Sequence, residues 1–198
     1  MSKKSDDRKN VVIVGGGYGG FNLAKALTKA LDASRYEIIV VTPKPYFVHV
    51  VAGLRIVVTA EGQLEDQALI PYDRVGGVTV RQGVVTAIEE AEHANGAGGG
   101  EVVLEGGDRL QYAVLVLATG STWSGPITSF TEGSSDKAIR DGIALWRKRF
   151  AGAKHVVIVG GGAGGLGTAE GLRESGFSGK ITILSKGARS PRPRTRSC

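Results

Sequence analysis

The stretch Val11 to Gly20, VVIVGGGYGG, decides the architecture of this chain. Val11–Val14 is a short, wholly apolar and β-branched run, the composition of a strand buried on both faces of a parallel sheet. Gly15, Gly17 and Gly20 then form GxGxxG. Behind them Leu23, Ala26, Leu27, Ala30 and Leu31 recur at helical spacing, and Glu37–Val41 supplies a second apolar strand. Strand, glycine turn, helix and strand within roughly thirty residues make a βαβ unit with the dinucleotide fingerprint. Such glycines permit a tight turn and close backbone approach, and the helix N-terminus offers free N–H groups to a pyrophosphate. Gly15, Gly17, Tyr18, Gly19 and Gly20 are therefore candidate dinucleotide contacts. The second strand of such units ends in Asp or Glu for the ribose hydroxyls. Here that place holds Thr42, followed by Pro43 and Lys44. A threonine hydroxyl can bond a ribose more weakly than a carboxylate, or the residue can simply end a strand; Thr42 and Lys44 are both candidate contacts.

Outward from this stretch, the heptad VVIVGGG returns at Val156–Gly162, 145 residues later, again followed by one residue and Gly-Gly. So long an offset is no solenoid period; it predicts two subdomains opening alike. Gly160, Gly162, Gly164 and Gly165 are the second set of candidate contacts. Leu166, Ala169 and Leu172 predict the helix face, and Lys180–Leu184 the next strand. Ser185 and Lys186 fill the acidic position. A lysine there either favours the 2′-phosphate of NADPH or starts an exposed loop.

Between the copies, residues 75–117 read as a β-meander. Val78, Val80, Val84 and Ile88 lie among polar residues, Ala94–Gly100 is a glycine-rich turn, and Glu101–Glu105 and Leu110–Leu117 are further strands. Val114–Leu117 runs into Ala118, Thr119 and Gly120, small residues at the strand end where open α/β sheets bind flat ligands. Ile139, Ile143, Trp146 and Phe150 recur at helical spacing before the second fingerprint, and Trp146 reads as core. The divisions are a polar segment over 1–10, a first dinucleotide unit over 11–125, a linker helix and the start of a second unit over 126–184, and a basic tail over 185–198. The fold class is thus α/β: a Rossmann-type fold with a parallel sheet, an inserted meander and an incomplete second Rossmann unit.

Composition narrows the function. The chain has 198 residues, 31 glycines and a formal charge of +6. Five of its 25 basic residues stand between Lys186 and Cys198 without an acid, so the other 20 face 19 acidic residues and the body is near neutral. That distribution argues against specific nucleic-acid binding and for a solvated, disordered end. Cys198 is the only cysteine, which excludes an internal disulfide, a CxxC dithiol and a thiolate metal cluster, and no metal site is expected. The polar, acid-containing start argues against a secretory signal or transit peptide, and no apolar run reaches membrane-spanning length. A cytoplasmic location is the default expectation, with a peripheral membrane or mitochondrial one as its variants, and the composition is compatible with an oligomer.

With these parts in order, the chain resembles the apoptosis-inducing factor-like NADH:quinone oxidoreductases, particularly the ferroptosis suppressor protein branch of the pyridine nucleotide-disulfide oxidoreductase superfamily. VVIVGGGYGG, YFVHVVAGLR, VRQGVVTAIEEA, LQYAVLVLATGSTW and HVVIVGGGAGG carry the resemblance, from about residue 11 to 184. It implies FAD at the first turn, with Phe47 and Arg55 in the flavin-side segment, the backbone near Val84 and Val85 holding the adenine, and Ala118–Gly120 beside the cofactor. It implies NADH or NADPH at the second turn, hydride passing to flavin and on to a small quinone-like acceptor, with no dithiol between. His49 matches a position near the flavin and reads either as a proton donor or as a packed structural histidine. Two departures stand out. Gly167 occupies a place where many family NADH motifs carry glutamate, so the second turn also resembles the opening FAD segment of a related reductase. After Leu184, SKGARSPRPRTRSC cannot continue an apolar sheet; the expectation is a C-terminally truncated chain, with a fragment that at most binds a dinucleotide as the alternative to an active oxidoreductase.

Overall fold

The computed structural model describes residues 8–74, 76–91, 98–121, 125–126 and 135–186. Most of the Ala94–Gly100 turn, and the tail from residue 187 with Arg189, Arg192, Arg194, Arg196 and Cys198, lie outside the described residues.

The centre is a four-stranded sheet in which β1 (Lys9–Val14) lies between β2 (Tyr36–Thr42) and β9 (Val114–Leu117), with β5 (Thr79–Gln82) outside β2; all pairs are parallel. Strand alternation splits its apolar residues into two cores. Ile13, Ile38 and Val40 face helix α1 (Tyr18–Ala30), where they meet Ala24 and, at the rim, Leu23 and Leu27. Val12, Val14, Ile39 and Val41 face the other way, against Val102 and Leu104. Burial on both faces explains why β1 and β2 read as continuous apolar runs rather than alternating ones. Ala26 and Ala30, expected on the inner face of α1, are exposed; the face follows Gly20, Leu23, Ala24 and Leu27 instead.

The antiparallel meander is β6 (Val85–Glu90), β7 (Gly100–Leu104) and β8 (Arg109–Tyr112). The expected meander over 75–117 was too wide at both ends. Thr79–Gln82 pairs with the free edge of β2, and the run Leu110–Leu117 breaks at Ala113, whose amide bonds Asn10 O at 2.9 Å. There the chain leaves the meander and enters the parallel sheet. Local composition cannot distinguish these strands, because their partners are set by pairing across the chain.

A third core joins the remaining elements. The hairpin β3 (Tyr46–Val48) and β4 (Leu69–Pro71), the short helices α2 (Gly53–Ile56) and α3 (Leu64–Ala68), the long helix α4 (Asp136–Ala151), and the unit β10 (His155–Val159), α5 (Ala163–Glu174), β11 (Lys180–Leu184) meet around Ile56, Val57, Val58, Ile139, Ile143 and Leu172. Ile139, Ile143, Trp146 and Phe150 line this side of α4 as their spacing predicts, so Trp146 is core. Ser135 caps α4 by accepting from the Ala138 amide at 3.2 Å. On α5 the inward residues are Thr168, Gly171 and Leu172, whereas Leu166 is exposed. Among the described residues no helix is long and apolar enough to cross a membrane.

Candidate functional site

The first glycine turn is built by contacts that tolerate no side chain at three positions and leave a fourth open. Gly15 has a φ of +111°, and a Cβ there would overlap the Ala118 carbonyl. A Cβ on Gly20 would overlap the Gly15 carbonyl, so this glycine lets helix α1 press onto the turn. At Gly16 it would overlap the Tyr72 hydroxyl. Gly17, the residue that opens α1, meets nothing within 4 Å. No side chain caps this helix and no acid lies in its first turn. Among the described residues the positive end of this helix dipole is thus left without a side chain over Gly17 or an acid beside it, which is what an anionic pyrophosphate needs.

The small residues after β9 come to this turn. Ala118 donates its amide to Val14 O at 2.8 Å, and Thr119 Cα would lie 3.0 Å from a Cβ on Gly15. Gly120 has a φ of +74°. At the end of β2, Thr42 is only 3% exposed; its carbonyl accepts from Gly83 at 2.9 Å, which brings the Val84–Val85 stretch alongside. Val84 O in turn accepts from Glu105. Lys44 is half-buried with no carboxylate partner among the described residues, and burial pushes its ammonium below the ordinary range.

Beside the helix start stands an aromatic group. Tyr18 meets Phe47 edge-on at 5.0 Å, Phe47 stacks on Phe21 at 4.5 Å, and the Tyr18 hydroxyl lies 2.6 Å from His49 Nδ1. His49 thus sits on the first turn of α1, held by a residue of the glycine motif itself. Arg55 faces elsewhere: it pairs with Glu174 at the end of α5.

Sequence reasoning missed Tyr72. Its hydroxyl donates to Gly16 O at 2.7 Å, and its ring is 7% exposed against Phe21 and Thr42. Burial pushes its phenol upward. No motif spacing could reveal a contact made across 56 residues; the one available signal was Gly16, the middle of three consecutive glycines and the one that GxGxxG does not require.

The second turn repeats the first. Gly160 has a φ of +113°, Gly162 opens α5 and meets nothing within 4 Å, and a Cβ on Gly165 would overlap the Gly160 carbonyl. Gly164 packs near Leu54 of α2. Ser185 and Lys186 follow β11 in exposed positions, with Ser185 against Gly161. Gly160 itself has no neighbour of the Ala118 kind among the described residues.

The family pattern described as pyridine nucleotide-disulphide oxidoreductase matches residues 9–145. A FAD-dependent oxidoreductase of Flammulina velutipes is 38% identical over 130 residues, 64% of this chain and 38% of the relative. Apoptosis-inducing factor homolog B of Dictyostelium discoideum is 31% identical, covering 96% of this chain and 47% of its own. Human ferroptosis suppressor protein 1 is 32% identical, covering 88% and 43%. The chain therefore spans less than half the length of these relatives. Among solved structures, the sulfide:quinone oxidoreductase of Aquifex aeolicus has a similar fold, with a TM-score of 0.60 at 19% identity over 89% of this chain and 43% of that one.

Proposed function

Because the chain belongs to the pyridine nucleotide-disulphide oxidoreductase family, we propose that it is an FAD-dependent oxidoreductase that takes hydride from NADH or NADPH and reduces a quinone-like small molecule. The observation that carries the reading is the pair of equivalent glycine turns, each ending in an uncapped helix whose first residue faces open space. Two such turns in one chain suit two dinucleotides, a donor and a resident cofactor.

The residues of the first turn fit FAD. Gly15–Gly20 would hold the pyrophosphate, Thr42 and Lys44 the adenosine side with Val84 and Val85, and Ala118–Gly120 would border the cofactor from β9. Gly160–Gly165 would take the nicotinamide dinucleotide, with Ser185 and Lys186 at its ribose. FAD supplies the hydride-accepting and electron-passing chemistry; the chain binds, orients and excludes water. His49, bonded to Tyr18, would hold a proton beside the first turn. The quinone-like acceptor draws on the Aquifex enzyme, whose name makes it a sulfide:quinone oxidoreductase.

The test is visible absorbance of the purified protein, followed by anaerobic NADH, then NADPH, then a soluble quinone. Bound flavin that bleaches with reduced nucleotide and recovers with quinone is the expected result. Colourless protein that FAD cannot reconstitute would overturn the reading. A second reading, binding without turnover, draws on one contrast: Gly15 is packed by Ala118, whereas Gly160 has no described neighbour. Bound flavin that both nucleotides leave oxidised would favour it.

A further inference from the structure

We propose that the second glycine turn selects a dinucleotide carrying a 2′-phosphate, with Ser185 and Lys186 as the recognising pair. The inference rests on the reading of Gly160–Gly165 as the nicotinamide site and adds its substrate class.

The two turns can be compared position by position. Val14 pairs with Val41 and Val159 with Leu184, and the amides of Gly15 and Gly160 donate to those partners' carbonyls, both at 2.8 Å. Thr42 and Ser185 are therefore equivalent. Each lies against the middle glycine of its turn: a Cβ on Gly16 would be 3.0 Å from Thr42 Cβ, and one on Gly161 would be 2.8 Å from Ser185 Oγ. This is the position that meets the adenosine ribose, where a carboxylate accepts from a free 2′-hydroxyl and repels a 2′-phosphate. Neither turn has that carboxylate, but the two differ in access. Thr42 is closed in by Tyr72 and followed by Pro43. Ser185 is exposed, and Lys186 follows it, also exposed.

The chemistry at Ser185–Lys186 suits a phosphate. A serine hydroxyl donates to a phosphate oxygen, and an ammonium adds a compact charge that tolerates many angles of approach. No competing acid stands close by on α5. Its first turn has none, and Glu170 lies about two turns along the helix. The other charged groups of the unit stand at the far ends of their elements: Lys154, His155 and Lys180 at the starts of the strands, and Arg173 and Glu174 at the end of α5, where Glu174 pairs with Arg55. A free 2′-hydroxyl gains nothing from Lys186, so the charge discriminates rather than strengthening both ligands equally.

The experiment is equilibrium binding of NADPH, NADH, and the fragments 2′,5′-ADP and 5′-AMP to the whole chain, at low and at physiological salt. The parent protein is expected to bind NADPH about tenfold more tightly than NADH, with the fragments in the same order and the ratio shrinking as salt rises. Lys186→Ala should weaken NADPH more than NADH, and Ser185→Asp should reverse the preference, with circular dichroism unchanged in both. A parent ratio near one, or a ratio that Lys186→Ala leaves intact, overturns the inference while the nicotinamide site stands. Binding of neither nucleotide by protein that retains FAD overturns both.

Discussion

At the scale of single residues, Tyr72 shows how a cofactor turn is held by something outside its motif. Its hydroxyl bonds the Gly16 carbonyl from inside the protein, which fixes the peptide leading to Gly17 and hence the direction of the first helix amides. Removing one partner of a buried hydrogen bond costs about 1–2 kcal/mol. Tyr72→Phe keeps the ring against Phe21 and is expected to lose about that much stability in urea unfolding. It should also raise the dissociation constant for FAD severalfold in flavin fluorescence titration, because the freed carbonyl lets the turn vary. Unchanged FAD affinity beside lowered stability would reduce Tyr72 to a packing role. Tyr18 offers a parallel case at the surface: Tyr18→Phe removes the bond to His49 Nδ1 and leaves the edge contact with Phe47. If His49 works as a proton donor in the proposed turnover, this variant should shift the pH profile of that turnover; a profile identical to the parent's would make the histidine structural.

At the scale of the element, the strand–turn–helix unit separates two demands that glycine meets. Gly20 is needed for packing, since its missing Cβ is what lets α1 lie on the Gly15 carbonyl. Gly17 is required by no contact among the described residues: its φ is −75° and a Cβ there would meet none of them within 4 Å. Gly20→Ala should therefore cost about 2–3 kcal/mol through forced displacement of the helix. Gly17→Ala should leave stability within about 0.5 kcal/mol yet weaken FAD by crowding the pyrophosphate. Thermal unfolding with and without added FAD distinguishes the pair, and an equal loss of stability in both would remove the case for an open ligand face at Gly17. Both turns were legible in the sequence because each requirement is local: a positive φ, a close approach, a strand before and a helix after. The partners of the strands were less legible. Thr79–Gln82 could not be told from a meander strand, since what assigns it is pairing with β2 some forty residues away. The same holds for Tyr72 on Gly16 and for Arg55 on Glu174, contacts across 56 and 119 residues that no periodicity encodes.

At the scale of the whole molecule, the two glycine turns are held in one body by the third core, and the polar closure of that core is Arg147. From α4 its Nε donates to Ile56 O at 2.8 Å, while Nη1 and Nη2 donate to the two oxygens of Glu65 at 3.1 and 2.8 Å. One guanidinium thus ties the linker helix to α2 and α3, and the stretch from Arg55 of α2 to Val58 just beyond it in turn meets α5 at Gly171. The geometry is bidentate, which a lysine could not reproduce. The Arg147 hydrogen bonds hold the Glu65 carboxyl below its ordinary 4.5 against the opposing effect of burial. A carboxyl whose folded value is depressed contributes stability that is present in full above its unfolded value and is lost as pH falls through the folded one. The contribution should therefore be constant at neutral pH and decline only below 4.5. Glu65→Gln keeps the shape and one acceptor but gives up the charge, and is expected to lower unfolding free energy at pH 7 by about 1–2 kcal/mol. As pH drops below 4.5 the gap between variant and parent should close, because the parent is then losing by protonation what the variant lacks already. Urea midpoints measured from pH 7 to 3 test this. A gap that stays constant across that range would mean that Glu65 acts through shape alone, and that the charge of Arg147 plays no part in joining the two units.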